Sequence, residues 1–232
     1  MPGPGAAANR GRWIAVLALI ATPLLLFPSI LGWRLEAALR TDMRAQSARV
    51  RLRSGLGAFT GNFSRLTMTV RGGRLDGVPV SEIQAEFRDV GLDVGRVLSR
   101  GELAFTRVGS GRATLTLTAD DVQRYLVEQK QLRGIQVSLE DGIVQLRGKV
   151  TVLNSEVDAI LRGRLLILDG ARLVMHVETL VVSGVGLPPA VADALAASLN
   201  PLLRADDFPL PLRLADVTVD DGRAVVRAVS PP

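Results

Sequence analysis

The sequence predicts an α+β fold in which helices cover one face of a curved antiparallel sheet, preceded by one membrane-spanning helix. Three observations predict it. From residue 49 onward, apolar and polar side chains alternate with period two in run after run, as half-buried strands require. Asp-Gly pairs at 141–142, 169–170 and 221–222 stand where hairpins would turn. Helical spacing interrupts the strands twice, over 119–131 and 188–200.

The elements follow in order. Residues 13–33 read WIAVLALIATPLLLFPSILGW without a charge, enough helix to cross a bilayer core, and Trp13 and Trp33 bracket them as interfacial aromatics do. Arg10 and Arg12 precede them and favour a cytoplasmic amino terminus. A cleaved signal peptide is the rival reading, although no small-x-small site follows Trp33. Residues 34–48 continue as a juxtamembrane helix, with Leu35, Leu39 and Met43 four apart. Then RVRLR (49–53) and RLTMTVR (65–71) alternate as strands with one apolar face and one rich in arginine. The loop between them, SGLGAFTGNFS, carries Phe59 and Phe63.

SEIQAEFRDV (81–90) and RATLTLT (112–118) are further strands. Thr118 and Asp121 form a capping box that opens the first inserted helix, whose apolar stripe is Val122, Tyr125 and Leu126. Runs on either side of each Asp-Gly pair supply the next strands and a closing hairpin. The second inserted helix begins at Pro188-Pro189 and carries Val191, Leu195 and Leu199. Asn200-Pro201 ends it. Three prolines in NPLLRADDFPLPLRL then mark a corner, because proline disrupts both helix interiors and central strands.

Composition narrows function. The chain has 232 residues, no cysteine and one histidine, so a disulfide framework, a thiol nucleophile and a histidine-rich metal site are excluded. Residues 1–74 hold eleven arginines against Glu36 and Asp42, while the remainder is net negative. Aromatics are scarce, which argues against nucleic acid and for proximity to a membrane. No nucleophile elbow, phosphate-binding loop or metal spacing is present. His176 alternates within a strand, and the Asp120-Asp121 and Asp206-Asp207 pairs stand at helix or turn starts, where carboxylates cap free amides. No catalytic residue, metal ligand or cofactor is therefore assigned, and an enzyme is not expected.

The ordered segments RLDGVPVSEIQAEFRDVGLD, GRATLTLTADDVQRYL, VSLEDGIVQLRGKV, VSGVGLPPAVADALAASLNPLL and FPLPLRLADVTVDDGRAVVRA resemble the LmeA-like family of bacterial phospholipid-binding proteins across about residues 45–229. The resemblance implies a fold related to tubular lipid-binding proteins, a highly curved antiparallel sheet wrapped around helices and enclosing an apolar groove. It also implies phospholipid as the partner, at the cell envelope.

The expected organisation is a basic tail (1–12), a transmembrane anchor or signal peptide (13–33), a juxtamembrane helix (34–48), a lipid-binding domain (49–229) and a short tail (230–232). The candidate groove residues are Val122, Tyr125, Leu126, Val191, Leu195, Leu199, Leu202, Leu203, Phe208, Leu210 and Leu212, of which the last five read equally as plain core closing one end of the sheet. Arg49, Arg51, Arg53, Arg65, Arg71 and Arg74 are candidates for an anionic headgroup or membrane surface, since guanidinium pairs with phosphate, with a solvated sheet face as the other reading. Phe59 and Phe63 either dip into a bilayer or pack beneath the sheet. The expectation is a domain exported to the outer face of the plasma membrane that holds acyl chains for envelope lipid transfer or glycolipid assembly. The alternative is a structural or protein-interaction module with a closed core.

Overall fold

A computed structural model describes residues 29–53, 57, 60–129, 134–152, 155–207 and 212–231. Its first helix, α1, spans 29–42. Leu31, Leu35 and Leu39 repeat every four residues along one stripe and are buried, Leu31 completely. The helix continues past Trp33 as expected, but it ends at residue 42 rather than 48, because Ala48 and Val50 already alternate inward as part of β1 (Ser47–Arg53). Residues 13–28 of the expected membrane span lie outside the described residues. Among the described residues no helix is long and apolar enough to cross a membrane.

Two antiparallel sheets replace the expected single one. The first comprises β1 (Ser47–Arg53), β2 (Asn62–Leu75), β3 (Val78–Leu92), β4 (Phe105–Thr118), β11 (Arg213–Asp220) and β12 (Arg223–Val229), in the order β1-β2-β3-β4-β12-β11. The second comprises β5 (Gln136–Glu140), β6 (Ile143–Val152), β7 (Ser155–Leu168), β8 (Arg172–Val182), β9 (Val185–Gly186) and β10 (Leu203–Arg204). Its order is β10-β8-β7-β6-β5, with β9 on β8. Asp-Gly pairs turn four hairpins, at 76–77, 141–142, 169–170 and 221–222. Both residues of each pair have positive φ, the geometry that matches strand twist.

The two sheets meet along the free edge of β11. Gly142 N–H donates to the Val219 carbonyl, Leu214 N–H to the Gly170 carbonyl and Gly222 N–H to the Leu139 carbonyl, each at 2.8 Å. Two turns of the second sheet thus engage an edge strand that would otherwise present unpaired backbone groups, and the β11–β12 turn in return reaches β5 through Gly222. At the opposite edge, Val50 N–H donates to Glu36 Oε1 of α1 at 2.8 Å.

Three more α-helices follow among the described residues. The sequence reading missed α2 (Val94–Arg100), which is short and has a single buried residue, Val97. Asp93 caps it by accepting from Arg96 N–H, and Gly101 at φ 70° closes it. α3 (Ala119–Gln129) packs against β3, β4 and β5, so it touches both sheets. α4 (Pro189–Leu199) lies on β8 and opens with a proline in its first turn.

The expected capping box opens α3 and does more than cap. Thr118 N–H donates to Asp121 Oδ2 at 2.9 Å and Asp121 N–H to Thr118 Oγ1 at 3.3 Å. Thr118 Oγ1 and Ser81 Oγ, the latter from β3, also donate to Asp121 Oδ2, at 2.8 and 2.5 Å. Arg124 donates to Oδ1. Asp121 is the one fully buried charged residue among the described residues. Burial pushes its pKa up, but the hydrogen bonds from Ser81 and Thr118 and the Arg124 charge outweigh burial and hold it below the ordinary value.

A depressed folded-state pKa means that ionised Asp121 stabilises the fold above its unfolded pKa of about 3.9, and that this stability is lost as pH falls through the folded value. Asp121→Asn is expected to cost roughly 3 kcal/mol at neutral pH, as charged hydrogen bonds weaken. In urea melts the gap to the parent protein should narrow below about pH 4. A gap independent of pH would contradict this account.

Candidate functional site

Alternation on the second sheet turns Leu139, Val144, Leu146, Leu165, Leu173 and Met175 toward α3. The apolar stripe of α3, Val122, Tyr125 and Leu126, faces them. Val78 and Leu117 of the first sheet close one side, and Leu199, Leu202 and Leu203 close one end. Together they enclose an apolar seam whose void is about 40 Å³.

The corner after α4 is held by one side chain. Asn200 Oδ1 accepts from Met175 N–H at 2.7 Å, and its Nδ2 donates to the Met175 carbonyl at 2.9 Å. The Asn200-Pro201 bond is cis. Leu202 N–H then donates to the Leu173 carbonyl at 2.9 Å, which delivers Leu202 and Leu203 to the seam. Pro209 and Pro211 lie outside the described residues, as do the groove candidates Phe208 and Leu210.

Six expected groove residues therefore line the seam: Val122, Tyr125, Leu126, Leu199, Leu202 and Leu203. Three do not. Val191 lies on the solvent side of α4 and is 44% exposed. Leu195 is half-buried against the core beside the seam, and Leu212 is buried in the core away from it. Most of the wall comes from strand residues that the sequence reading did not name. Their signal was the alternation itself, which marks an inward face without saying which interior it faces.

The seam has one polar end. Tyr125 is half-buried, and both burial and the nearby Asp76 carboxylate push its phenol above the ordinary value. One turn further along α3, Glu128 Oε2 meets Arg74 Nη2 at 2.5 Å. Arg74, Asp76 and Val78 all belong to the β2–β3 hairpin, so the apolar wall and a charged pair adjoin there.

Arg74 is the exception among the six candidate arginines. Arg49, Arg51, Arg53, Arg65 and Arg71 stand on the outer face of the first sheet, because Val50, Leu66, Met68 and Val70 between them point into the core. That face is turned away from the seam, so these five cannot meet the headgroup of a lipid held inside. Phe63 is 2% exposed and belongs to the core, which rules out its dipping into a bilayer; Phe59 lies outside the described residues. His176 is exposed on the outer face of β8, opposite Arg164, while its neighbours Met175 and Val177 point inward.

Because Tyr125 is the sole tyrosine, its phenolate absorbance reports on the seam directly. It is expected to titrate above the ordinary tyrosine value of about 10, and Asp76→Asn should bring it down. A midpoint at or below that value would place the ring outside the seam.

The family model for LmeA-like phospholipid-binding proteins matches residues 24–229, so the chain belongs to that family. No curated protein and no solved structure matches it.

Proposed function

We propose that this member of the LmeA-like phospholipid-binding family holds a phospholipid acyl chain in the seam between α3 and the second sheet, at the outer face of the plasma membrane. The observation that carries this reading is a continuous apolar lining drawn from both sheets and three separate stretches of helix and corner, with charge confined to one end. Apolar residues from Trp13 onward tether the domain, and Arg10 and Arg12 hold the amino terminus on the cytoplasmic side.

The resting void of about 40 Å³ is far below the roughly 300–1,000 Å³ of ligand sites, so loading requires the walls to part. α4 is the element suited to give way. α3 is tied at its start by Asp121 and near its end by Glu128, whereas α4 has no side-chain cap at its start and is tied at its end by Asn200. Displacing α4 from β8 moves Leu199 and opens the end of the seam that Leu199 closes. Each methylene buried contributes about 0.8 kcal/mol, so ten offset an opening cost of several kcal/mol. The phosphate then takes Arg74 from Glu128, an exchange of one charge-assisted pair for another. The lining offers no convergent acid and base, which supports a holder of lipid that transfers it or presents it for glycolipid assembly.

A closed-core interaction module is the competing reading, and the small resting void favours it. Native mass spectrometry with lipid extraction on residues 29–232, purified without detergent, decides between them. Bound phospholipid near one-to-one is expected; an empty domain that refuses added phospholipid would establish the closed core. Val122→Trp should fill the seam and abolish bound lipid while circular dichroism stays unchanged. Arg74→Gln should weaken phospholipid binding about tenfold, as loss of one charge-assisted bond implies, whereas Arg49→Gln should not.

A further inference from the structure

The outer face of the first sheet gathers positive charge that the seam does not use. Across β1, β2 and β3, Arg53 stands opposite Arg65 and Arg65 opposite Arg88. In the next row Arg51, Thr67, Glu86 and Arg112 stand side by side. Five arginines thus surround one carboxylate within two adjacent rows. Glu86 is shared by Arg112 at 2.5 Å, Arg65 at 3.4 Å and Arg88 at 3.7 Å. Its single charge cannot neutralise three guanidiniums, and Arg51 and Arg53 form no ion pair among the described residues, with Glu36 in the cleft beside them engaged by Val50 N–H.

The same corner exposes apolar surface. Trp33 is 65% exposed and Ile30 is 52% exposed, both on the first turns of α1. Trp33 shares a shallow cleft with Arg51 and Arg53, and the Arg34 guanidinium lies 6.0 Å from its ring centroid. The chain therefore arrives from its apolar amino-terminal stretch beside the edge of the arginine rows.

We propose that this face, centred on Arg51, Arg53, Arg65, Arg88 and Arg112, docks on an anionic phospholipid bilayer, with Trp33 and Ile30 entering its headgroup layer. Charge complementarity argues for the partner: basic residues next to a membrane attachment are drawn to anionic lipid. The pairing with an exposed tryptophan selects a bilayer over a soluble anion, because an amphipathic ring settles at the level of lipid headgroups. Two open rows, rather than an enclosed pocket, suit many phosphates presented in a plane. The surface is separate from the seam, which lies on the other side of the sheet, and so it acts on the membrane that supplies the lipid rather than on the lipid held.

The absence of cysteine permits a direct test on the full chain. Gln84→Cys places one label on this face, and His176→Cys places one on the outer face of the second sheet as a control. Each labelled protein is reconstituted in phosphatidylcholine vesicles and in vesicles that also contain phosphatidylglycerol. The position-84 label should be shielded from an aqueous quencher only in the anionic vesicles, and high salt should remove the shielding. The control label should stay accessible in both.

Replacing the five arginines by glutamine should cut the shielding about tenfold or more. The pair Arg51→Gln and Arg53→Gln, which breaks no ion pair among the described residues, should cut it partly. Both variants should keep wild-type phospholipid occupancy in native mass spectrometry, which separates this surface from the seam. Equal accessibility of position 84 in both vesicle types would overturn the proposal. So would shielding by a soluble polyanion without shielding by anionic vesicles, which would assign the face to an acidic macromolecule.

Discussion

The structure depends on the burial of one carboxylate. α3 must offer apolar surface to two sheets at once, so its first turn cannot leave its free amides to water. Asp121 meets that constraint from inside: it accepts from the backbone and hydroxyl of Thr118 at the end of β4 and from Ser81 on β3. A helix cap becomes a joint between two strands and a helix. With α3 fixed in this way, Val122, Tyr125 and Leu126 face the second sheet, and the seam exists as a consequence.

The edge of β11 is the complementary joint. Two turns of the second sheet end on its backbone, so the first sheet is met there by hairpins formed 44 and 77 residues earlier in the chain, Gly170 against Leu214 and Gly142 against Val219. Each of those hairpins turns on an Asp-Gly pair with positive φ, which sets its register and so decides which side chains point inward. A slip of one residue in β6 would exchange Val144 and Leu146 for Gln145 and Arg147 in the lining.

Much of this was legible in the sequence because it is local. Alternation, Asp-Gly turns, the Thr118–Asp121 box and the stop at Asn200-Pro201 are short-range signals, and they located most strands and both inserted helices. Other features depend on tertiary partners. α2 presents too few apolar residues to show a period. Val191 and Leu199 share a helix and a chemistry, and only the position of β8 separates them. The stretch ending at Trp33 reads as a membrane span because a helix buried in protein and one buried in lipid need the same residues, yet Leu31 is core. Arg49, Arg51, Arg53, Arg65 and Arg71 were legible as one face, but not as the face turned away from the seam.

The early burial of α1 also sets how far the domain can travel. Leu31 enters the core within the first turn of the described chain, and extended residues supply at most about 3.5 Å of reach each. A shuttle between two membranes needs a leash that spans the gap. Under the tether proposed above, few residues separate the apolar stretch from Leu31, so the domain would pivot at its own bilayer rather than cross to another. A recipient of the proposed lipid would then have to come to it.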